Sequence, residues 1–396
     1  MWMWKHDQFL DYAVLLALLT LGTTGWAIMP ASGMEGEPSF GINYGKVANN
    51  LPAPADVITL IHSISITKSK LYDADPLVLR TFGNTGISFI VGTANADLEY
   101  LTNPALAMAW VEENIAAYLP ATHITGIVVG NEIFGGTDTN LMGQVMPAMQ
   151  NVYAALESLN LHRQIMVSTA HSFSTLATSY PPSAGSFGEG ISNQYMRPVL
   201  EFLGRTGAPF LINVYPFFAY KDNPSTVSLP YVLFQSNPGI LDPSTDLRYY
   251  NMFDAQMDAV YSAISALGFD NITLLVSETG WPSVGDPDEP GANIVNAQIY
   301  HENLVHHVSS KKGTPLRPNT SLEVYLFALF NEDMKPGPTS ERNYGLFRPD
   351  GSPVYDFRFF QSSSSAAFSV NQLPCLAVVY MYYMLVYILT DSNVCL

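Results

Sequence analysis

Only two cysteines occur in 396 residues, and both, Cys375 and Cys395, fall in the last 22. Disulfides therefore cannot hold the body of the fold together. Basic residues are scarce as well: 17 Lys and Arg stand against 34 Asp and Glu, for a formal charge of −17 and a pI near 4.7. No Lys/Arg cluster interrupts this deficit, which excludes nucleic acid and anionic membrane surfaces as partners. No strand-like run opens into a Gly-rich phosphate turn, His306-His307 lacks the i, i+4 spacing of a helical zinc pair, and "VSETG" around Ser277 is not a G-x-S-x-G elbow. The residues thus call for no cofactor and no metal.

Each end carries one apolar run. The run "AVLLALLTLG" (13–22) follows Lys5 and His6 and precedes small residues ending "ASG", so residues 1–33 read as a secretory leader. At the far end, small residues from Ser362 to Ala367 and a short spacer precede an apolar stretch from Leu373 to Leu389. That order is the signal for a glycosylphosphatidylinositol (GPI) anchor, with a membrane helix as the competing reading of 362–396. The expected product is an exported monomer at the extracellular face of the plasma membrane, whose residues 34–361 form one domain.

What is present between the ends is alternation. Eight β-rich runs lie at 39–45, 68–75, 87–95, 124–132, 164–172, 209–217, 272–280 and 322–332. Helical spacing fills the intervals, as at 98–119, 141–159, 247–267 and 293–310. Near-continuous apolar strands separated by amphipathic helices predict a parallel sheet covered on both faces. Eight repeats predict a single α/β (β/α)8 TIM barrel, with a doubly wound open sheet as the alternative.

The barrel reading places Asn131, Glu132, Glu278, Asn331 and Glu332 at the C-terminal ends of strands, the rim where such barrels do chemistry. Glu132 and Glu278 end strands 4 and 7, across the mouth from one another. Two carboxylates flanking a cleft suit glycoside hydrolysis, and a gap of about 5–5.5 Å would make it retaining. Aromatic residues on rim-side segments, namely Tyr44, Tyr72, Phe173, Tyr215, Phe217, Phe218, Tyr220, Trp281 and Tyr344, suit the apolar faces of sugars. His171 ends strand 5, either as a site residue or as a hydrogen-bonded rim histidine. The connection 218–246 reads as a cleft-building loop.

From about Phe40 to Asp356 the chain resembles the plant glucan endo-1,3-β-glucosidases of glycoside hydrolase family 17. The motifs that carry the likeness include "GINYG", "LYDADP", "ITGIVVGNE", "INVYPFFAYKDNP", "NMFDAQMDAVYSA", "SETGWPS" and "KPGPTSERNYGLFRPDGSPVY". The resemblance implies retaining hydrolysis of β-1,3-glucan with Glu132 as general acid/base and Glu278 as nucleophile. It further implies a charged group of Glu332, Lys335 and Glu341, a sugar contact from Asn131, and Tyr215 orienting Glu278; Tyr44, Tyr72 and Trp281 are expected to bind substrate. Strand 3 ends "VGTANADL", where relatives often read "VPNEDL"-like sequences. Asn271 ("NIT") and Asn319 ("NTS") are glycosylation sequons in an exported chain.

Overall fold

A computed structural model describes residues 39–357. The leader expected at 1–33, the anchor signal or membrane helix expected at 362–396 and both cysteines lie outside the described residues. Eight parallel strands close into a barrel in sequence order: β1 (Ser39–Asn43), β2 (Lys68–Lys70), β3 (Ser88–Thr93), β4 (His123–Asn131), β5 (Met166–Ser172), β6 (Phe210–Asn213), β7 (Leu274–Thr279) and β8 (Glu323–Leu326). β8 pairs back onto β1, so no edge remains open. The closed-barrel expectation holds, and the open sheet does not.

Two apolar layers follow from the alternation of side chains along each strand. Ile90, Val128, Ala170, Leu211, Leu275 and Tyr325 point inward and fill the barrel. Gly41 on β1 makes room for the Tyr325 ring, because a Cβ there would come within 2.3 Å of it. The outward residues pack against the surrounding helices in the larger core.

The helices start where the sequence offers caps. They are α1 (Pro54–Ser63), α2 (Pro76–Thr81), α3 (Pro104–Asn114), α4 (Thr139–Ser158), α5 (Arg197–Thr206), α6 (Pro216–Asp222), α7 (Met252–Ala266) and α8 (Ile294–Ser309). Asp75, Asn103, Asp138, Asn251 and Asn293 cap α2, α3, α4, α7 and α8 by accepting first-turn N–H groups. The single helix expected over 98–119 is instead broken. A short turn at Leu98–Leu101 stops before Pro104, which lacks an N–H to continue it and opens α3 instead.

Three strands end four or more residues earlier than their apolar runs. β2 stops at Lys70 rather than 75, β6 at Asn213 rather than 217, and β8 at Leu326 rather than 332. After β8 the chain stays buried over residues 327–330 although it has left the strand. Phe327, Leu329 and Phe330, for example, roof the barrel from a loop.

Candidate active site

At the C-terminal end of the barrel lies a cleft of about 770 Å³. Its lining includes Glu132, Glu278, Glu332, Lys335 and Glu341, together with Tyr44, Tyr72, Asn131 and Tyr215. All five charged residues singled out in the sequence thus share one cavity.

Both strands that deliver the expected acid and nucleophile slip register at their ends. β7 shifts against β6 between Val276 and Glu278, and β4 shifts against β5 between Val128 and Asn131. An extra residue bends a strand end and re-aims its side chains, a common device at barrel rims. Glu132 itself lies one residue past β4, in the left-handed region at φ 58°. Its N–H is held by the Ala170 carbonyl at 2.8 Å. Such a conformation is uncommon for a residue with a Cβ and persists because the surrounding strand ends hold it.

Glu278 is 6% exposed and is gripped from two sides. Lys70, itself 1% exposed, donates to Oε1 at 2.9 Å, and the Tyr215 hydroxyl donates to Oε2 at 2.9 Å. Burial by itself raises the Glu278 pKa, but the Lys70 charge and hydrogen bond outweigh it, with help from Tyr72 and Lys335. The net result is a carboxyl held below its ordinary range. The Tyr72 hydroxyl stands outside hydrogen-bonding geometry, while the Tyr72 ring lies 4.7 Å from the Lys70 ammonium. Glu132 moves the other way. Burial and the charge of Glu278 raise its pKa, against a 2.8 Å hydrogen bond from Asn213 Nδ2 to Oε1.

The remaining charged residues form a separate cluster on the β8 side. Glu332 is 3% exposed, accepts from the Val47 N–H at 2.7 Å, and is raised by burial against the opposing Lys335 charge. Gly45 permits this approach, since a Cβ there would meet the Glu332 carboxylate at 2.5 Å. Lys335 stands 3.7 Å from Glu341 and packs its ammonium 4.3 Å from the centre of the Phe327 ring. The cation in contact with Glu278 is Lys70, and Lys335 acts on it from further away. Lys70 was passed over in the sequence. Its only signal was a lysine ending an inward-facing strand at the rim.

Three aromatic expectations are corrected. Trp281 is fully buried, donates its indole N–H to the Gly291 carbonyl at 2.9 Å, and packs on Phe217 and Tyr300. Neither Trp281 nor its neighbours Phe217 and Tyr220 lines the cleft, so Trp281 supports the wall from behind its surface. Tyr44, Tyr72, Phe173, Tyr215, Phe218 and Tyr344 do line it. His171 is neither a site residue nor a hydrogen-bonded rim histidine. It is buried between Phe134 and Phe210, at ring distances of 5.7 and 4.2 Å, its ring nitrogens have no partner, and burial pushes its pKa down to about 3.

Asn131 lines the cleft with its Oδ1 unpartnered. Asn95, from the strand 3 segment that departs from the usual pattern, clips the Asn131 backbone through two hydrogen bonds of 2.8 and 3.0 Å. Of the connection 218–246, only Phe218, Ala219 and Asp222 line the cavity. Asn271 and Asn319 are exposed, on the turns that precede β7 and β8 at the far end of the barrel. Among the described residues, no group of three or more His, Cys, Asp or Glu could hold a metal ion.

Comparison with known proteins agrees with this geometry. The profile of the glycosyl hydrolases family 17 matches residues 40–359. Glucan endo-1,3-beta-glucosidase 11 of Arabidopsis thaliana is 50% identical over 356 residues, which cover 89% of this chain and 80% of that protein. Glucan endo-1,3-beta-glucosidase 14 of the same plant is 53% identical over 317 residues, 80% of this chain and 81% of that protein. Among solved structures, CJP38, a β-1,3-glucanase and allergen of Cryptomeria japonica pollen, superimposes with a TM-score of 0.77 at 42% identity, over 81% of this chain and 99% of its own. The chain is therefore a glycoside hydrolase and belongs to the glycosyl hydrolases family 17.

Proposed function

We propose that the protein hydrolyses internal β-1,3-glucosidic bonds of β-1,3-glucan, a callose-type polymer, with retention of configuration. The observation that carries the reading is the opposite pKa shift of two carboxyl groups in one cleft, Glu278 lowered and Glu132 raised. Divergent environments of this kind assign one carboxyl as nucleophile and the other as acid. The substrate follows the names of the Arabidopsis and Cryptomeria relatives.

In the first step the Glu278 carboxylate attacks the anomeric carbon, while Glu132 gives its proton to the departing glycosidic oxygen. A glycosyl ester on Glu278 and a free chain end result. The ionised Glu132 then takes a proton from water as that water attacks the same carbon. The ester breaks, and both carboxyl groups return to their starting states. Lys70 and Tyr215 keep Glu278 ionised and aimed. The charged group of Glu332, Lys335 and Glu341 adds the more distant field of Lys335, and Tyr44, Tyr72 and Asn131 border the bound sugar.

The test is reducing-end release from linear β-1,3-glucan by wild type beside Glu278→Gln, with the first-formed anomer followed by NMR. Wild type should release the β-anomer first, and Glu278→Gln should fall by roughly a thousandfold or more. A folded wild type that leaves the polymer intact removes the substrate assignment. An α-anomer appearing first removes the double displacement, and an undiminished variant removes Glu278 as nucleophile.

A further inference from the structure

We propose that Gln256 is a substrate-recognition residue that binds a glucosyl hydroxyl at the β6 end of the cleft, away from the cleaved bond. The inference rests on the β-1,3-glucan reading above and adds a residue to it. Gln256 lies in the second turn of α7 and lines the cavity beside Phe218, Ala219 and Asp222 of α6. It is only 7% exposed, yet its amide oxygen has no hydrogen-bond partner. The other buried polar side chains of this helix end are engaged. Asn251 donates to Asp254 at 2.8 Å, Asp254 also meets His307 at 2.8 Å, and Asp258 accepts from the Leu316 N–H at 2.8 Å on Oδ2; its Oδ1 has no partner either, but Asp258 does not line the cleft and Gln256 does.

A buried amide oxygen without a partner is costly, and in a cleft that takes a polyhydroxylated chain the missing partner is a substrate hydroxyl. Leu or Met would fill the same space without that cost, so packing alone does not call for an amide here. The ring order gives the direction. β2 and β6 are diametrically opposite in the closed barrel. Asp73, just past β2, also lines the cavity with an unpartnered Oδ1. A line from Asp73 to Gln256 leaves β3, β4 and β5 with Glu132 on one side and β7, β8 and β1 with Glu278 on the other. A glucan laid along it passes between the two carboxyl groups, and only a chain that extends beyond the cleaved bond reaches Gln256.

The experiment measures binding of short and long linear β-1,3-gluco-oligosaccharides, a trisaccharide and a heptasaccharide, by Glu278→Gln and by Glu278→Gln with Gln256→Leu. Gln256→Met, which is unbranched, replaces Gln256→Leu if that variant does not fold. The second substitution should weaken the heptasaccharide about five- to tenfold, leave the trisaccharide unchanged, and leave the thermal midpoint equal or higher. A structural role predicts the reverse, and a lower midpoint with unchanged affinities would overturn the proposal. Equal weakening of both lengths would overturn the remote placement. If Glu278→Gln alone binds neither oligosaccharide, the β-1,3-glucan reading fails and this inference fails with it. If it binds both and Gln256→Leu changes nothing, only this inference fails.

Discussion

The cleft and the outer layer beneath α7 each bury a carboxyl group in apolar protein, and the two groups titrate in opposite directions. Asp258 on α7 has no cation beside it. Burial pushes its pKa up to about 7 in spite of hydrogen bonds from Thr314, the Leu316 N–H and Tyr249. Glu278 is buried as deeply but lies 2.9 Å from the Lys70 ammonium, and its pKa falls below the ordinary value. Neutral hydrogen bonds therefore soften desolvation, whereas one buried cation reverses it. Glu132 is raised like Asp258, by burial and the charge of Glu278, with the Asn213 amide rather than an ammonium as its hydrogen-bond partner.

The most severe way to break this contrast is Lys70→Met, which turns Glu278 into a second Asp258. Activity at neutral pH should fall by roughly a hundredfold or more, and stability should drop by about 3–5 kcal/mol because a buried charge loses its partner. The Glu278 pKa is lowered in the native protein, so the acid limb of the kcat/KM profile reports its protonation and should move to higher pH in the variant. An unmoved acid limb would show that Lys70 does not set the ionisation of Glu278. Tyr215→Phe removes the other grip while leaving the cation. A loss of roughly tenfold to a hundredfold in kcat/KM is expected, with a smaller upward move of the same limb.

Asn213→Ala acts on the opposite limb. Its hydrogen bond favours ionised Glu132, so losing it raises that pKa further and carries the alkaline limb to higher pH, with a rate cost of about tenfold or less. A downward move would reverse the sign assigned to this contact. Asp258→Asn should leave activity intact and sharpen the comparison through stability. The folded pKa of Asp258 is above its unfolded value, so its contribution is fully present below pH about 4 and is lost as pH rises through about 7. Asparagine avoids that loss. Its thermal midpoint should exceed that of wild type by a few degrees at pH 8, and by less at pH 5.

The eight strands were legible because each is an apolar run between helical patterns, and the closed order follows from their number. The pairing of Glu132 with Glu278 was legible because both end such runs. The strand ends were not. In "LEVYLFALFNE" the apolar run continues past Leu326, but the strand does not: Phe327, Leu329 and Phe330 are buried in the roof of the barrel, with the Phe327 and Leu329 N–H groups bonded to the last residues of β7 and β1. Trp281 was misplaced for a related reason. It stands three residues after Glu278, yet its ring is buried in the wall against Phe217.

By itself, then, the sequence determined the barrel, the family and the strands that carry the two carboxyl groups, because burial periodicity and motifs are local properties. Only the tertiary structure decided that Lys70, from a strand 208 positions away, is the ion partner of Glu278, and that Asn213 rather than a cation meets Glu132. The physical reason is that a pKa depends on the charges and dipoles within a few ångströms, and in a closed barrel those neighbours come from different strands.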